Sequence, residues 1–468
     1  MRDRFRKLAA TCFGAVLCLA LTASAQIFSP LHIFSTATRS VAPLAQGPDG
    51  TLYGVSASGG VSGPPGNGTV FKVQPDGSGF SIIYSFTNGN DGSGPAAGLI
   101  MSGNTLYGTA ESGGSGGHGT VFKINTDGTG LATIYSFTAY TPGTNSDGAN
   151  PQGSLVLSGN TLHGTASVGG SANSYGTIFK VNTDGTGFTK LHTFGLVGVS
   201  DPAYPLAGMV LSGSTLYGTT SAGGSANGGG TVFKIDTSGT GFAIVHAFPG
   251  TVSGTNSDGA HPKAGLVLSG GMLYGTASGG GEGWGTVFSV STDGSSFTNL
   301  YNFTNGVDGS TPGAALTLSG GTLYGTASSG GNWPGWGTVF KLHTDSTGFT
   351  NLYEFAQGDS GTQPEAGLLL SGSTLYGTTP NTSGYTGGTV FKLGTDGSGF
   401  TVLANGSDGA QPQGGLVLSG DSFYGTTSAG GVAGAGVVFK VNTNGTGFAT
   451  LHVFTAATNE SAAGDNSY

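Results

Sequence analysis

One phrase of about fifty residues governs what this chain can fold into. Residues 208–248 carry it cleanly, as GMVLSGSTLYGTTSAGGSANGGGTVFKIDTSGTGFAIVHAF. It occurs eight times. Its Leu-Tyr-Gly core recurs at Tyr53, Tyr107, His163, Tyr217, Tyr274, Tyr324, Tyr376 and Tyr424, with a histidine in the third copy. Its Gly-Thr-Val-Phe core recurs in step, at Phe71, Phe122, Phe179, Phe233, Phe288, Phe340, Phe391 and Phe439. Two anchors advancing together by about 53 residues establish a tandem repeat, and such a period with strand signals points to a propeller or a similar array.

Each unit predicts four strands. The first is Gly-Leu-Val-Leu-Ser, as in 265–269, and the second Thr-Leu-Tyr-Gly-Thr, as in 322–326. A glycine-first pair such as Gly103-Asn104 or Gly270-Gly271 separates them, the chemistry of a tight hairpin whose turn needs positive φ. The third strand is Gly-Thr-Val-Phe-Lys. The fourth is Phe-Thr-x-Leu-[His/Tyr]-x-Phe, as in 188–194 and 349–355, reached through an Asn-Thr-Asp-Gly-Thr-Gly turn. Helical periodicity is absent, and each recurring glycine would cost a helix about 1 kcal/mol relative to alanine. Small four-stranded sheets cannot bury both faces alone, but stacked radially they can. The expected fold is therefore an all-β propeller of about eight four-stranded antiparallel blades, with seven blades or an open β-solenoid as alternatives.

Residues 1–25 have the layout of a cleaved secretory leader. Arg2, Arg4, Arg6 and Lys7 precede the apolar run Leu8–Leu21, and Ala23-Ser24-Ala25 forms an Ala-x-Ala cleavage site. Thr11 and Leu17, ahead of Cys12 and Cys18, do not fit a lipoprotein signal. The apolar run is shorter than the roughly 20 residues a membrane span needs. Cleavage would remove both cysteines, and with them any disulfide or thiol chemistry. It would also take the formal net charge from −9 to about −12. Arg39 would be the one remaining arginine, and seven of the lysines sit in the Gly-Thr-Val-Phe-Lys position. No basic patch is available for nucleic acid or an anionic membrane.

The repeat domain is expected to occupy 26–454. Phe28–Phe34 (FSPLHIF) matches a fourth strand with no first three before it, a spare available to complete a blade at ring closure. Unit seven lacks the Leu-[His/Tyr]-x-Phe ending after Phe400–Leu403. Residues 455–468 are polar and aperiodic, and a disordered tail is expected there.

The run G-L-V-L-S-G-S-T-L-Y-G-T-T, then G-G, G-T-V-F-K and D-G-T-G-F-x-x-L-H-x-F, closely resembles the tandem repeat of bacterial exported proteins called choice-of-anchor GloVer-repeat proteins. The resemblance spans about residues 28–454. It implies export and a propeller-like repeat body, usually with a sorting anchor at one end, a feature the tail 455–468 does not display. It brings no catalytic residue with it. A looser similarity to kelch-type propellers concerns architecture alone.

In a four-stranded antiparallel blade, the loop between strands two and three shares a face with the loop into the next blade. Both are the long, variable ones, and loops on a rigid scaffold are where binding usually resides. The strand two-to-three loops hold Tyr175, Trp284, Trp333, Trp336 and Tyr385 amid Gly, Ser and Asn. Such aromatics suit stacking on sugar rings or packing on a protein partner. They would equally cover a neighbouring blade. The inter-blade loops carry Asp91, Asp147, Asp201, Asp258, Asp308, Asp359 and Asp408, mostly as Asp-Gly-x-x-Pro. A ring of carboxylates is a candidate for Ca²⁺, which seeks oxygen ligands. The same aspartates serve as turn caps if they do not converge.

His32, His192, His246 and His452 alternate with Tyr84, Tyr135, Tyr301 and Tyr353 in one repeat position, which marks a packing site rather than a metal site. An enzyme is the less favoured class. The Asn-Thr-Asp-Gly turn is similar to the aspartate box of sialidase propellers but is off by one residue. Glu111, Glu282, Glu354 and Glu365 fall in unlike contexts, and no carboxylate pair of the kind used for glycoside hydrolysis stands out. The expected role is a non-catalytic module, secreted or at the cell surface, that binds an extracellular glycan or protein. The alternatives are a structural envelope or matrix protein without a discrete ligand, and a polysaccharide hydrolase or lyase on the same scaffold.

Overall fold

The computed structural model describes residues 42–454, apart from 61–65, 77, 139–145, 172–174, 196–200, 226–227, 333–334, 357–359, 382–386, 405–410, 413 and 431–435. The leader, the spare segment Phe28–Phe34 and the tail 455–468 lie outside the described residues. Among those described, the secondary structure is all β, arranged as eight four-stranded antiparallel sheets. Each sheet takes four consecutive strands in chain order, so repeat unit and blade coincide. The result is an eight-bladed β-propeller.

Blade two shows the plan. Its strands are Ile100–Ser102, Thr105–Ala110, Thr120–Asn125 and Ala132–Ser136. Ser102 pairs with Thr105, so Gly103-Asn104 is a two-residue hairpin, with φ +57° at Gly103. In the Gly-Gly hairpin of blade five both residues are positive, +57° at Gly270 and +80° at Gly271. These primed turns match the twist of the strands they join. The first strand is shorter than the five residues expected from sequence. Blade one departs further: Gln46 pairs with Leu52, and Asp49 closes the longer loop by accepting from the Thr51 amide at 3.0 Å.

The two sequence anchors turn out to be register partners. Gly108 lies opposite Phe122 across strands two and three, and the Phe122 ring covers the glycine. A β-carbon at Gly108 would stand 2.6 Å from the Phe122 ring tip. The same relation holds in all eight blades. Every third-to-fourth strand pairing also has a register shift at the Val–Phe step, as between Val121 and Phe122. Such a bulge sharpens the local twist.

Aromatic rings join the blades. In every blade but the seventh, the phenylalanine closing the fourth strand meets the Gly-Thr-Val-Phe ring of the next blade. Phe137 meets Phe179 at 5.2 Å and Phe303 meets Phe340 at 5.2 Å, both edge to face. The Tyr/His position two residues earlier stacks flat on the phenylalanine that opens the next blade's fourth strand. Tyr135 stacks on Phe188 at 3.4 Å, His246 on Phe297 at 3.5 Å and Tyr301 on Phe349 at 3.5 Å. Either residue type offers a flat ring, which is why the position accepts both. Lysine of Gly-Thr-Val-Phe-Lys reaches into the next blade's tight turn: Lys123 donates to the Thr183 carbonyl at 3.0 Å and Lys341 to that of Thr395 at 3.2 Å. The lysine ring is thus a set of inter-blade ties.

The ring closes by packing between blade eight, built from C-terminal strands, and blade one. Phe454 meets Phe71 edge to face at 5.9 Å, and Leu44, Leu52, Val438 and Leu451 join them in one buried cluster. The Tyr424 hydroxyl donates to the Pro75 carbonyl at 2.7 Å. Among the described residues every four-stranded sheet is made within its own repeat, and no strand is exchanged at the seam. The weak ending of unit seven has a visible consequence. Ala404 stands where Tyr353 stands in blade six, and a notch opens there, lined by Val390, Ala404, Pro412, Val437, Phe439 and Phe448.

Candidate recognition face

The two long loops of each repeat meet on one face, as strand order requires. The inter-blade loop forms short antiparallel bridges with the loop after strand two: Ser93 with Ser112, Ala149 with Val168, Ala260 with Gly279, and Ser310 with Ser329. In blade four the contact grows into a two-stranded sheet, Pro202–Ala203 with Ala222–Gly223. A rigid rim results from loops that carry little regular structure.

Aspartate organises each inter-blade loop by turning back on the end of the preceding strand. The Asp91 carboxylate accepts from the Tyr84 hydroxyl at 2.8 Å, the Thr87 amide at 2.7 Å, the Thr87 hydroxyl at 2.7 Å and the Gly89 amide at 3.1 Å. Asp308 has the same four donors in Tyr301, Thr304 and Gly306, and Asp147 takes Tyr135 at 2.6 Å with both polar groups of Thr138. Burial alone would raise the Asp91 carboxyl, but the bonds from Thr87 and Tyr84 outweigh it and hold the group below the ordinary carboxylate range. Burial and the adjacent carboxylate push the Tyr84, Tyr135 and Tyr301 hydroxyls up.

Where histidine replaces tyrosine the partner becomes an ion-pair candidate. His246 Nε2 lies 3.1 Å from Asp258. Burial lowers the His246 imidazole, against the pull of Asp258. Burial takes His192 down to about 4, with Asp201 opposing. Asp359 and Asp408 lie outside the described residues. Asp91, Asp147, Asp258 and Asp308 each sit in their own loop with local donors, and among the described residues no three His, Cys, Asp or Glu side chains gather into a metal-holding group.

The aromatic candidates divide. Trp333 and Tyr385 lie outside the described residues. Tyr175, Trp284 and Trp336 all occupy one repeat position, the residue ahead of Gly-Thr of strand three. They are therefore not free of the repeat, as the irregular look of their loops implied. The signal was present in the sequence as Tyr-Gly-Thr and twice Trp-Gly-Thr, aligned with His118-Gly-Thr. Trp336 packs against the buried cluster of Tyr324, Val339, Leu352 and Phe355. Tyr175 meets Tyr204 edge to face at 5.1 Å. Trp284 is 44% exposed on the rim.

A second rim position escaped the sequence-level argument. The residue before the inter-blade proline has a left-handed backbone, with φ +56° at Asn150, +59° at Tyr204, +60° at His261, +58° at Thr311 and +59° at Gln363. Its amide donates to the carbonyl of the Gly-Thr-preceding residue one blade back: Tyr204 to Tyr175 at 2.8 Å, Thr311 to Trp284 at 2.8 Å and Gln363 to Trp336 at 2.8 Å. Its carbonyl accepts the amide and hydroxyl of a serine in the next blade, as Tyr204 does from Ser221 and Thr311 from Ser328. Each such residue staples two blades.

Glu111 and Glu354 are taken up in side-chain bonds, with Gln152 and with Asn332 and Asn351 respectively. Burial raises the Glu365 carboxyl. Among the described residues no helix is long and apolar enough to cross a membrane.

Comparison with known proteins places these features. No curated protein matches the chain. A chain of the nidogen/laminin complex is similar in structure, with 15% identity, a TM-score of 0.35, and coverage of 61% of this chain and 90% of that one. The GH74 enzyme of Niastella koreensis is similar at 15% identity and a TM-score of 0.37, over 88% of this chain and 71% of that one. The sequence profile of the Gloeobacter/Verrucomicrobia repeat matches residues 14–229, 141–334, 224–404 and 282–466. Together these matches run through all eight blades, and the chain belongs to the Gloeobacter/Verrucomicrobia repeat family.

Proposed function

We propose that this protein is an exported, non-catalytic recognition module whose long-loop face binds an extracellular glycan. The observation that carries the proposal is Trp284, a large ring 44% exposed on a rim whose backbone is tied to two blades. Exposed aromatics on a pre-formed, rigid surface lose little entropy on stacking against a sugar ring. The leader-like residues 1–25 support export, so the working form runs from Gln26. The Asp91, Asp147 and Asp308 carboxylates are held by local donors, so calcium is given no part in this reading.

The test is binding of the chain from Gln26 onward to a broad polysaccharide panel, with and without Ca²⁺. Specific retention that is lost on Trp284→Ala, with the fold intact by circular dichroism, is the expected result. Retention that Trp284→Ala leaves unchanged would move the site elsewhere. No retention on any member of the panel would leave Trp284 as a surface for a protein partner or for assembly of an envelope layer.

A further inference from the structure

We infer that the residue before proline in each inter-blade loop is a specificity-determining position, and that the rim it forms takes a neutral polysaccharide. The inference rests on the glycan reading above and deepens it. Six described loops keep a side chain at this position: Asn150, Tyr204, His261, Thr311, Gln363 and Gln411. All six have φ between +56° and +60°. That conformation costs an ordinary residue more than glycine, most of all β-branched Thr311. Glycine meets the same backbone demand in one copy: Gly94, at φ +68°, donates its amide to Asn67 and accepts from Glu111. In that copy the staple is made by the backbone; His261, Gln363 and Gln411 add a side-chain bond to a neighbouring blade, at the Ser221 carbonyl, Asn381 and Ser428, whereas among the described residues Thr311 shows none.

The proline that follows recurs in every copy, and the Asp-Gly before it in most, whereas this position holds an amide, a phenol, an imidazole and a hydroxyl in turn. Backbone strain retained where glycine would serve is a mark of function rather than of folding. His261, Thr311 and Gln363 are exposed, and Asn150, Tyr204 and Gln411 half-buried, so all reach the rim.

The partner position supplies the complementary chemistry. Five of the six are hydrogen-bonded through the amide to the residue ahead of Gly-Thr, which pairs Thr311 with Trp284, Gln363 with Trp336 and Tyr204 with Tyr175. A flat ring beside a hydroxyl or amide is the combination that grips a sugar, whose ring faces stack and whose hydroxyls need donors and acceptors. None of the six residues is an acid or a lysine or arginine. The loop aspartates at Asp91, Asp147 and Asp308 are occupied by local donors. Lys263 lies exposed two residues after His261 and Glu282 exposed two residues before Trp284, and with a formal net charge of −9 the chain fits an uncharged polymer better than a uronate or a sulfated one.

The test compares Thr311→Gly and the triple variant His261→Gly/Thr311→Gly/Gln363→Gly with the unaltered chain and with Trp284→Ala. The probes are xyloglucan, mixed-linkage β-glucan and mannan, with polygalacturonate as the charged control. Thr311→Gly should raise the melting temperature, because it relieves the left-handed strain. It should also weaken binding to a neutral polymer several-fold, and the triple variant should weaken it at least tenfold. Unchanged affinity in the triple variant, with Trp284→Ala still defective, would overturn this inference and leave the glycan reading standing. A lower melting temperature for Thr311→Gly, or a preference for polygalacturonate, would also overturn it. Absence of binding by the unaltered chain to any probe would remove both.

Discussion

The ring of Phe340 lies across Gly325, its cross-strand partner, so closely that a β-carbon at the glycine would stand 2.5 Å from the ring tip. Leu316, just ahead of the first strand Thr317–Ser319, closes the same space at 2.8 Å. The glycine of Leu-Tyr-Gly is therefore a seat for a ring. It lets an aromatic side chain lie flat inside a blade while its edge meets Phe303 of the preceding blade.

Gly325→Ala should accordingly destabilise the propeller by about 1–3 kcal/mol, the range for overpacking a filled core. Gly320→Ala in the same blade's hairpin meets no atom within 4 Å, and its penalty comes only from φ +55°. Urea unfolding of the two variants checks the contrast between crowding and backbone strain.

Asp308→Ala should cost about 1–3 kcal/mol, because the buried carboxylate loses its bonds from the Tyr301 hydroxyl and from the amides of Thr304 and Gly306 on an otherwise exposed turn. Added Ca²⁺ should leave the melting temperature of the unaltered chain where it is. A rise of several degrees would show that the loop carboxylates exchange their donors for metal.

Stability should fall as the pH drops from about 6.5 towards 4, and His192 is one cause. Its imidazole takes a proton near 6.5 when unfolded but only at about 4 in the blade, because burial opposes the charge. The unfolded chain thus binds the proton first, so the contribution is complete above pH 6.5 and is lost on acidification. His192→Tyr, which matches Tyr135 and Tyr301 in the same position, should flatten the unfolding profile over that window. Denaturant midpoints between pH 7 and pH 4 measure it.

Ala404→Tyr should stabilise the junction of blades seven and eight by about 0.5–1.5 kcal/mol, the worth of an aromatic pair. The added ring would enter the notch beside Phe448, as Tyr353 lies on Phe400 one blade earlier at 3.5 Å. Thermal unfolding compared with Ala404→Leu separates stacking from simple filling.

Repeat length, strand number and blade count were legible in the sequence because a blade is a local object. Its four strands are consecutive, its turns carry glycine where φ must be positive, and both anchors recur at one spacing. The sharing of one face by the two long loops also followed from strand order. The role of the aspartates divided: a turn function could be named, but not that the carboxylates of Asp91, Asp147, Asp258 and Asp308 reach back to the Tyr or His of the strand before. That contact spans seven residues between Tyr84 and Asp91 and twelve between Tyr135 and Asp147, so no fixed spacing advertises it.

The sequence alone determined that eight like units exist and that each makes an antiparallel sheet, since hydrophobic period and turn chemistry act within a few residues. Only the tertiary structure decided what binds one unit to the next. Lys123 ties to Thr183, Tyr135 stacks on Phe188, and Thr311 hands its amide to Trp284. These partners come from different repeats, and it is the closed ring that brings them within reach. The strained position before proline was hidden for the same reason: its left-handed backbone is imposed by two neighbouring blades at once, and local sequence preference would have placed glycine there.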